Sequence, residues 1–297
     1  MVYTYQSLCA QLQQMPPLRL FSIGRSVRGR QLFCIKHGSG RRRLLLCGAH
    51  HGTEWMTSMV LMRFLNDLLS RADDAAADIP LDDVSLYFVP MLNPDGIEIH
   101  AGLEKPAFAP MPQTEALDGG MIYWQANANG VDLNHNYAAD WPASKAAEAE
   151  NGILGPGPTR FSGTCAESEP ESAALAELTR RIRPEAVLAL HSQGEEIYYD
   201  FGGEVPDGGL ALAAAMAEAS GYALKQPEGM AACGGYKDWF ISAFHKPGFT
   251  VEIGLGSNPL PPETFDAVYE KVLPLLRIFS SAQGSERSLA HFAPTTG

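Results

Sequence analysis

Short apolar runs alternate with amphipathic patterns along this chain of 297 residues. The segments LLLCG at 44–48 and VSLYFVP at 84–90 are typical of buried strands, whereas WMTSMVLMRFLNDLL at 55–69 repeats its apolar residues at helical spacing. Strands that alternate with helices favour a sheet covered by helices on both faces. The sequence therefore predicts a three-layer α/β/α fold with a central mixed, largely parallel sheet. We expect one domain over residues 1–282 and a polar, frayed tail at 283–297.

Other segments extend this pattern. RLFSIGRSVRGRQLFCIKHG has two apolar runs around a Gly/Arg turn and predicts a hairpin, while EAVLAL and GFTV are typical of buried strands. A helix is expected from SEPE onward, with Ser168 at its N-cap and Glu171 three positions later, as in a capping box. The stretch at 93–165 shows little periodicity and contains NPDG and GVDLNHNY. We expect it to be functional, because long irregular stretches in compact domains often are.

The net charge of -12 limits the partners of this chain. Nucleic acids and anionic membranes attract proteins that have a broad positive field. The basic run Arg41–Arg43 is short and abuts an apolar strand, so we expect no nucleic-acid and no membrane partner. No apolar run is long enough to span a bilayer. A small acidic substrate would need a local cation to offset the overall repulsion.

The cysteines indicate a compartment. Five cysteines are scattered along the chain without CxxC spacing. An odd, scattered set argues against a disulfide framework and favours a reducing environment. The N-terminal segment lacks the basic start, apolar block and small-residue cleavage site of a secretory signal. We therefore expect a cytoplasmic protein.

A histidine and a glutamate directly follow the strand at 44–48, in the segment HGTE. Zinc accepts imidazole nitrogen and carboxylate oxygen, and a strand-to-helix turn can direct both to one point. The HxxE pattern alone is a weak signal, because a turn histidine followed by a glutamate at a helix start gives the same spacing. His51 and Glu54 are thus candidate metal ligands.

Two further residues close apolar strands: His191 ends EAVLAL, and Glu252 ends GFTV. In open α/β sheets, ligands gather beyond the carboxyl ends of the strands. His191 alone could equally be a satisfied residue at the rim of the core, but a carboxylate at the end of a buried strand is costly unless it is paired or functional. Two histidines and two glutamates at three strand ends are consistent with a three-ligand zinc site that has a general base.

With these motifs, the chain resembles the zinc carboxypeptidases related to carboxypeptidases A and B. The matching motifs follow the order of that family over most of the chain: HGTEW, NPDG, GVDLN, SEPE, LHSQ and FTVEIG. The resemblance implies one zinc ion per chain, with His51, Glu54 and His191 as ligands and Glu252 as general base. It also implies that Asp132 of GVDLN orients His51, because such a carboxylate fixes the imidazole tautomer.

Within the family, the segments WQANANGVDLN, GYKDWF and FTVEIGLGSNPLP are most similar to the γ-D-glutamyl-L-diamino acid endopeptidase I enzymes. This resemblance implies a small peptide substrate and hydrolysis of the γ-D-glutamyl bond to a diamino acid in bacterial cell-wall peptides. Lys237 of GYKDWF matches the base of the specificity pocket in the family, where a lysine would favour a substrate carboxylate. A solvated lysine that pairs with the neighbouring Asp238 is the alternative.

The chain departs from the family pattern where substrate binds. Ordinary carboxypeptidases place an arginine after the asparagine of GVDLN to bind the C-terminal carboxylate, and this chain has Asn134 and His135. A histidine replaces that bidentate fork poorly, which leaves endo- versus exopeptidase action open, and His135 could also be a surface loop residue. The arginine that polarises the scissile carbonyl is absent before GVDLN. Gln125 offers an uncharged donor there and is a candidate catalytic residue.

Two other functions are compatible with part of the pattern. A zinc deacylase of the aspartoacylase or succinylglutamate desuccinylase type uses a similar HxxE…H…E site, although GVDLN, SEPE and GSNPLP favour the peptidase. A non-catalytic metal-binding relative would explain the missing arginines, but it would have no need of Glu252 beside three ligands. The sequence leaves open the exact peptide and the oligomeric state.

Overall fold

An eight-stranded mixed sheet forms the centre of the molecule in the computed structural model. The structure describes residues 1–70, 79–107, 123–226 and 229–281, with the backbone alone described at 230 and 231. The strands are β1 (Arg19–Arg25), β2 (Gln31–His37), β3 (Arg42–Gly48), β4 (Val84–Val89), β5 (Ala186–His191), β6 (Glu196–Tyr198), β7 (Ala223–Lys225) and β8 (Gly248–Glu252). The α-helices are α1 (Tyr5–Gln14), α2 (Met56–Ser70), α3 (Pro94–His100), α4 (Trp141–Glu150), α5 (Pro170–Ile182), α6 (Gly209–Ser220), α7 (Tyr236–Phe244) and α8 (Phe265–Ser281).

The strand order is β1-β2-β4-β3-β5-β8-β6-β7. β3 pairs in parallel with β4 and β5, and β5 pairs in parallel with β8. β1 and β2 form the antiparallel hairpin that the sequence predicts, and β6 pairs antiparallel to β8. Every residue of β4 and β5 is buried, as expected for parallel strands with both faces covered. The sheet is therefore parallel at its centre and antiparallel at the edge formed by β1 and β2, whereas β6 and β7 at the other edge pair in parallel with each other.

Two apolar cores cover the two faces of the sheet. Leu44 and Leu46 of β3 belong to the core formed with α2, α6 and α8, whereas Leu45 and Cys47 belong to the core formed with α5 and α7. Successive residues of a strand point to opposite faces, so one apolar strand can contribute to both cores. This arrangement confirms the predicted three-layer α/β/α fold.

Three neighbouring parallel strands end at the same edge of the sheet. β3 ends at Gly48, β5 at His191 and β8 at Glu252. Gly48 pairs with Leu190, and His191 pairs with Glu252, so the three ends lie side by side. Because these strands run in one direction, the residues at and beyond their carboxyl ends are brought together.

The start of α5 differs from the prediction. Ser168 is not the N-cap: the helix begins at Pro170 with Glu169 as the cap residue, because proline is favoured at the first helical position. The Ser168 hydroxyl instead donates to Glu169 Oε1 at 2.9 Å. Glu171 does not complete a capping box either, since its buried carboxylate accepts from the Val27 N–H at 3.0 Å.

Within its described residues, the stretch expected to be irregular contains the α-helices α3 and α4. Asn93 caps α3 through a side-chain bond to the Gly96 N–H, and Pro142 stands in the first turn of α4. No helix among the described residues is long and apolar enough to cross a membrane. The predicted tail at 283–297 lies outside the described residues.

Candidate metal centre

The turn after β3 presents the first two predicted ligands. Ala49 adopts a left-handed backbone conformation with φ 52°, and its N–H donates to Thr57 Oγ1 at 2.8 Å. The Thr57 hydroxyl donates in turn to the Glu54 carbonyl at 2.7 Å. A non-glycine residue in this conformation is strained and persists only where its surroundings fix it. Thr57 of α2 thus holds the turn that carries His51 and Glu54.

Gly52 lies between these two ligands at a point where two backbones meet. A β-carbon at this position would lie 2.4 Å from the Gly96 carbonyl oxygen and 2.5 Å from that of Trp124. Only glycine permits such an approach. The Gly52 N–H donates to the Gln125 carbonyl at 3.0 Å, so the ligand-bearing turn is bonded directly to the loop that precedes GVDLN.

Asn93, the first residue of NPDG, joins the same segments. Its buried Nδ2 lies 2.9 Å from the His50 carbonyl oxygen and 3.1 Å from the carbonyl oxygens of Gln125 and Ala126. Its Oδ1 accepts from the Gly96 N–H at 2.9 Å. A buried amide with both ends bonded is a rigid connector. Asn93 of NPDG therefore fastens the ligand turn to the neighbouring loop.

His51, Glu54 and His191 converge on one point. His51 Nδ1 lies 2.8 Å from Glu54 Oε1, and His191 Nδ1 lies 3.0 Å from Glu54 Oε2. One ligand atom from each residue lies within 4.8 Å of the other two. Two imidazole nitrogens and a carboxylate are a ligand set of catalytic zinc sites, which keep a further position open for water or substrate. The structure thus brings the three predicted ligands together, and their chemistry fits zinc.

Asp132 lies behind His51. Its Oδ1 is 3.0 Å from His51 Nε2, and its Oδ2 accepts from the Arg160 N–H at 2.9 Å. A carboxylate there keeps the proton of the imidazole on Nε2 and leaves the Nδ1 lone pair facing Glu54 and His191. The contact that the sequence predicts between Asp132 and His51 is present.

Asn258 borders the ligand group on another side. Its Nδ2 lies 3.4 Å from Glu54 Oε1 and donates to the Ser192 carbonyl. The Ser192 hydroxyl donates to Asn258 Oδ1 at 2.7 Å. This reciprocal pair joins the residue after His191 to the loop after β8. The buried His50 ring stacks on the His191 ring, with ring centroids 5.1 Å apart.

The electrostatics of the group favour a bound cation. Burial opposes ionisation of Glu54, but His51 and His191 outweigh it and hold the pKa of this carboxyl at about 2. Burial likewise opposes protonation of His51, but Glu54 and Asp132 outweigh it and hold the imidazole pKa well above its ordinary value. The two carboxylates, Glu54 and Asp132, lie on either side of the His51 ring, and buried negative charges require positive charge beside them.

Glu252 is the last residue of β8. Its backbone pairs with His191 on one side and with Glu196 on the other. Burial first, and then the charges of Glu54 and Glu196, raise the pKa of Glu252 well above its ordinary value. A carboxyl whose pKa is moved towards neutrality is suited to general base catalysis. The structure thus puts Glu252 next to a ligand-bearing strand end, and its role as the base stays a prediction.

Three other predicted residues lie on the loops beside Asp132. Gln125 Oε1 accepts from the Thr159 hydroxyl at 2.6 Å, which leaves its Nε2 as the available donor. Asn134 Oδ1 accepts from the Tyr236 N–H at 3.1 Å, at the start of α7. The buried Nδ1 of His135 has no hydrogen-bond partner among the described residues. Their catalytic and substrate-binding roles stay predictions.

Lys237 is not the solvated lysine of the alternative interpretation. Its side chain is 4% exposed, and its ammonium donates to the Asp238 carboxylate and to the Asp200 carbonyl. A buried ammonium requires such partners, because losing water is costly for a charge. The pairing with Asp238 is therefore present, although inside the molecule and not on its surface.

The sequence did not reveal Thr57, Thr159 or Asn258 as contributors. Thr57 could have been found, because it stands three residues after Glu54, where a hydroxyl in the first turn of a helix reaches back to a carbonyl. Thr159 and Asn258 act over 34 and 204 residues, on Gln125 and Glu54 respectively. No local pattern signals contacts over such distances.

Comparison with known proteins agrees with this site. The family model described as zinc carboxypeptidase matches residues 5–274. The γ-D-glutamyl-L-diamino acid endopeptidase 1 of Lysinibacillus sphaericus is 34% identical over 291 residues, covering 91% of this chain and 70% of that protein. The protein YqgT of Bacillus subtilis is 33% identical over 258 residues, covering 83% of this chain and 68% of that protein.

Among solved structures, the carboxypeptidase A from Helicoverpa armigera superposes with a TM-score of 0.71 at 19% identity, covering 94% of this chain and 73% of that one. This likeness concerns the fold. Fold and ligand group together define a metal-dependent hydrolase built on a carboxypeptidase-like sheet. The chain belongs to the zinc carboxypeptidase family and is a metallopeptidase, which confirms the resemblance seen in its motifs.

Proposed function

We propose that this metallopeptidase hydrolyses the γ-D-glutamyl bond to a diamino acid in small cell-wall peptides. The observation that carries the proposal is the 34% identity, over 91% of the chain, to an enzyme whose name states that activity. The pair Asn134–His135 supports it. A peptidase for ordinary C-termini needs a bidentate cation there, and a histidine cannot supply one.

His51, Glu54 and His191 would hold one zinc ion per chain. When bound, zinc supplies a Lewis acid that polarises a carbonyl and lowers the pKa of water. Asp132 holds the Nε2 proton of His51, which keeps Nδ1 available as a ligand. Burial of Glu54 excludes bulk water from the ligand atoms, so their interaction with a cation is screened less than at the surface.

Glu252 would act twice on the same proton. Its carboxylate accepts the proton of the attacking water as the new C–O bond forms, and it then delivers that proton to the amide nitrogen as the C–N bond breaks. One positioned carboxyl can perform both steps. The raised pKa of Glu252, caused mainly by burial, lets it retain the proton between them.

The remaining predicted residues would bind the peptide. The Gln125 Nε2 would donate to the scissile carbonyl, because its Oε1 already accepts from Thr159. Asn134 and His135 would contact the polar main chain of the substrate. Lys237 is a further candidate for binding the substrate. Because it pairs with Asp238, a substitution would lower protein stability if its role is structural, so stability measurements distinguish that role from substrate binding.

The cytoplasm is the compartment that we propose. All five cysteines are free thiols, and Cys34, Cys47 and Cys233 are buried. Free thiols in this number are typical of a reducing environment. The proposed partner is a small peptide, and a cytoplasmic enzyme of this kind would act on cell-wall fragments and not on the intact wall.

The test is product analysis with zinc-loaded enzyme on four substrates: the cell-wall tripeptide, the tetrapeptide, an α-linked dipeptide and an N-acyl amino acid. On the tetrapeptide we expect cleavage at the γ-bond, which releases a dipeptide that begins with the diamino acid. Release of the last residue alone would identify a carboxypeptidase instead. Turnover confined to the N-acyl amino acid would identify a deacylase.

A further inference from the structure

Arg160 is anchored beside the ligand group by its backbone. Its N–H donates to Asp132 Oδ2 at 2.9 Å, and the other oxygen of that carboxylate contacts His51. The residue has a left-handed conformation with φ 68°. Non-glycine residues adopt it rarely and at a cost in free energy, so it marks a position that the surrounding contacts fix. The neighbouring Thr159 bonds to Gln125, which fixes the loop further.

The side chain of Arg160 is a cation without an internal partner. It is exposed, and none of the ion pairs formed among the described residues involves it. Burial, and then the charges of Glu54 and Asp132, raise the pKa of the Tyr123 hydroxyl, while the charge of Arg160 lowers it. Tyr123 therefore lies within electrostatic reach both of the ligand group and of the Arg160 guanidinium.

Arg160 differs in this respect from Lys237, the cation that the sequence singled out. The charge of Lys237 is already paired with Asp238 in the protein interior. The chain carries a net charge of -12, so an acidic peptide needs a nearby cation whose charge is not yet neutralised. A guanidinium is also the better partner for a carboxylate, because it can bind both oxygens at once.

We propose that Arg160 binds a free carboxylate of the substrate, on the residue that supplies the scissile acyl group, and thereby selects γ-linked over α-linked acidic peptides. The inference rests on the proposed function. In a γ-D-glutamyl peptide, the α-carboxylate of the glutamate remains free beside the scissile γ-amide. In an α-linked peptide, the α-carboxyl carbon is itself the scissile carbonyl, and no carboxylate is left at that position.

The experiment compares Arg160→Gln with Arg160→Lys and with Arg183→Gln. Arg183 is a matched control, because it is also an exposed arginine with a left-handed backbone (φ 48°), but it precedes β5 at the opposite end of that strand from His191. Each protein is zinc-loaded and given two peptides, the γ-D-glutamyl-diaminopimelate peptide and its analogue in which the glutamate α-carboxylate is a carboxamide.

We expect Arg160→Gln to raise KM for the carboxylate peptide ~10- to 100-fold, the size of a lost hydrogen bond to a charged group, with kcat and zinc content little changed. The carboxamide peptide should be cleaved equally well by this variant and the parent. Arg160→Lys should recover part of the loss, and Arg183→Gln should match the parent. Equal losses on both peptides, or a fall in kcat alone, would put Arg160 at the scissile carbonyl and overturn the inference.

A binding measurement separates this inference from the proposed function. Calorimetry with the Glu252→Gln protein, with and without Arg160→Gln, gives Kd for both peptides in the absence of turnover. If binding of the carboxylate peptide alone weakens but the parent cleaves neither peptide, the carboxylate site stands and the proposed function fails. If the parent cleaves the γ-bond and Kd for the carboxylate peptide is unchanged by Arg160→Gln, the Arg160 inference fails and the proposed function stands.

Discussion

The proposed site consists of two halves that are built differently. The metal half comprises the residues at the ends of neighbouring strands or in the turn after one: His51, Glu54, His191 and Glu252. The peptide half comprises residues on the loops at 123–136 and 157–163: Gln125, Asn134, His135 and Arg160. The strand ends of the metal half are fixed by the parallel ladder of β3, β5 and β8. The loops of the peptide half are fixed by side chains such as Asn93 and Asp132, which bond to their backbone.

This difference indicates which property each half controls. A ladder of backbone hydrogen bonds does not depend on the side chains it presents, so His191 and Glu252, which end its strands, can be altered without moving their neighbours. The loops depend on individual side-chain hydrogen bonds. Their residues can therefore be replaced to suit another substrate only where the replacement keeps such a bond. Substitutions at these two strand ends should therefore abolish activity while the fold stays constant. Substitutions in the peptide half should change selectivity or stability.

The largest effect is expected for Glu252→Gln, which tests the metal half. The amide keeps the shape of the side chain but cannot accept a proton, so kcat should fall by about 10² to 10⁴, the contribution of a general base. Zinc content, measured by atomic absorption, should stay that of the parent. Glu196→Gln is the control, because Glu196 pairs with Glu252 across the ladder. A larger loss for Glu196→Gln than for Glu252→Gln would transfer the role of base to Glu196.

Lys237→Met tests whether this lysine belongs to the peptide half or to the core. Removing one partner of a buried pair leaves Asp238 uncompensated, so the free energy of unfolding should fall by about 3 to 5 kcal/mol in urea titrations. The double variant Lys237→Met/Asp238→Leu should lose less. Unchanged stability together with a selective fall in kcat/KM on acidic peptides would assign Lys237 to substrate binding instead.

Most of the metal half could be predicted from the sequence. His191 and Glu252 each end an apolar strand, and His51 and Glu54 follow one, so the shared edge of a parallel sheet brings them together. The order of the strands was not predictable, because apolar strands carry no information on their neighbours. That β5 lies between β3 and β8 is nevertheless what makes the site compact.

The peptide half could be predicted only where motifs marked it. Arg160 bonds to Asp132 across 28 residues of chain that has no periodic pattern, so no local feature marked it as part of the site. A lysine on a short helix usually faces solvent or substrate, and the sequence predicts this for Lys237. Its burial could not be predicted, because its contact with the Asp200 carbonyl joins segments 37 residues apart. Contacts of this kind depend on the tertiary fold and not on local spacing.

Asp132→Asn tests the connection between the two halves. The amide cannot accept the His51 Nε2 proton at Oδ1 and the Arg160 N–H at Oδ2 together, since one of the two atoms becomes a donor. Zinc affinity or kcat/KM should fall by about 10- to 100-fold, as is typical for residues that orient a ligand. Competition with a chromogenic chelator measures the affinity. Asp140→Asn, an exposed aspartate of the same segment, is the control, and equal behaviour of the two variants would contradict a specific role for Asp132.

The smallest effect is expected for Glu171, which contacts a loop of the peptide half and no residue of the metal half. Its fully buried carboxylate accepts from Asn127 Nδ2 at 3.0 Å and from the Val27 N–H at 3.0 Å. Burial nevertheless raises its pKa from 4.5 to about 7. Between these two values the folded protein keeps a proton that the unfolded chain releases, so this group makes the protein less stable as pH rises through that window.

The free energy of unfolding of the parent should therefore fall by about 1 to 2 kcal/mol between pH 5.5 and 8, as measured by urea unfolding at each pH. Glu171→Gln should not show this fall. The exposed Glu177 of the same helix provides the control variant, Glu177→Gln, which should follow the parent across the whole range. Asn127 belongs to the loop that carries Gln125, so KM of the variant should also depend less on pH than KM of the parent. The pH dependence of zinc affinity should be the same in both proteins. If the parent and Glu171→Gln show the same dependence of stability on pH, Glu171 is ionised over the whole range. The loops of the peptide half would then be held independently of pH, as the strand ends are.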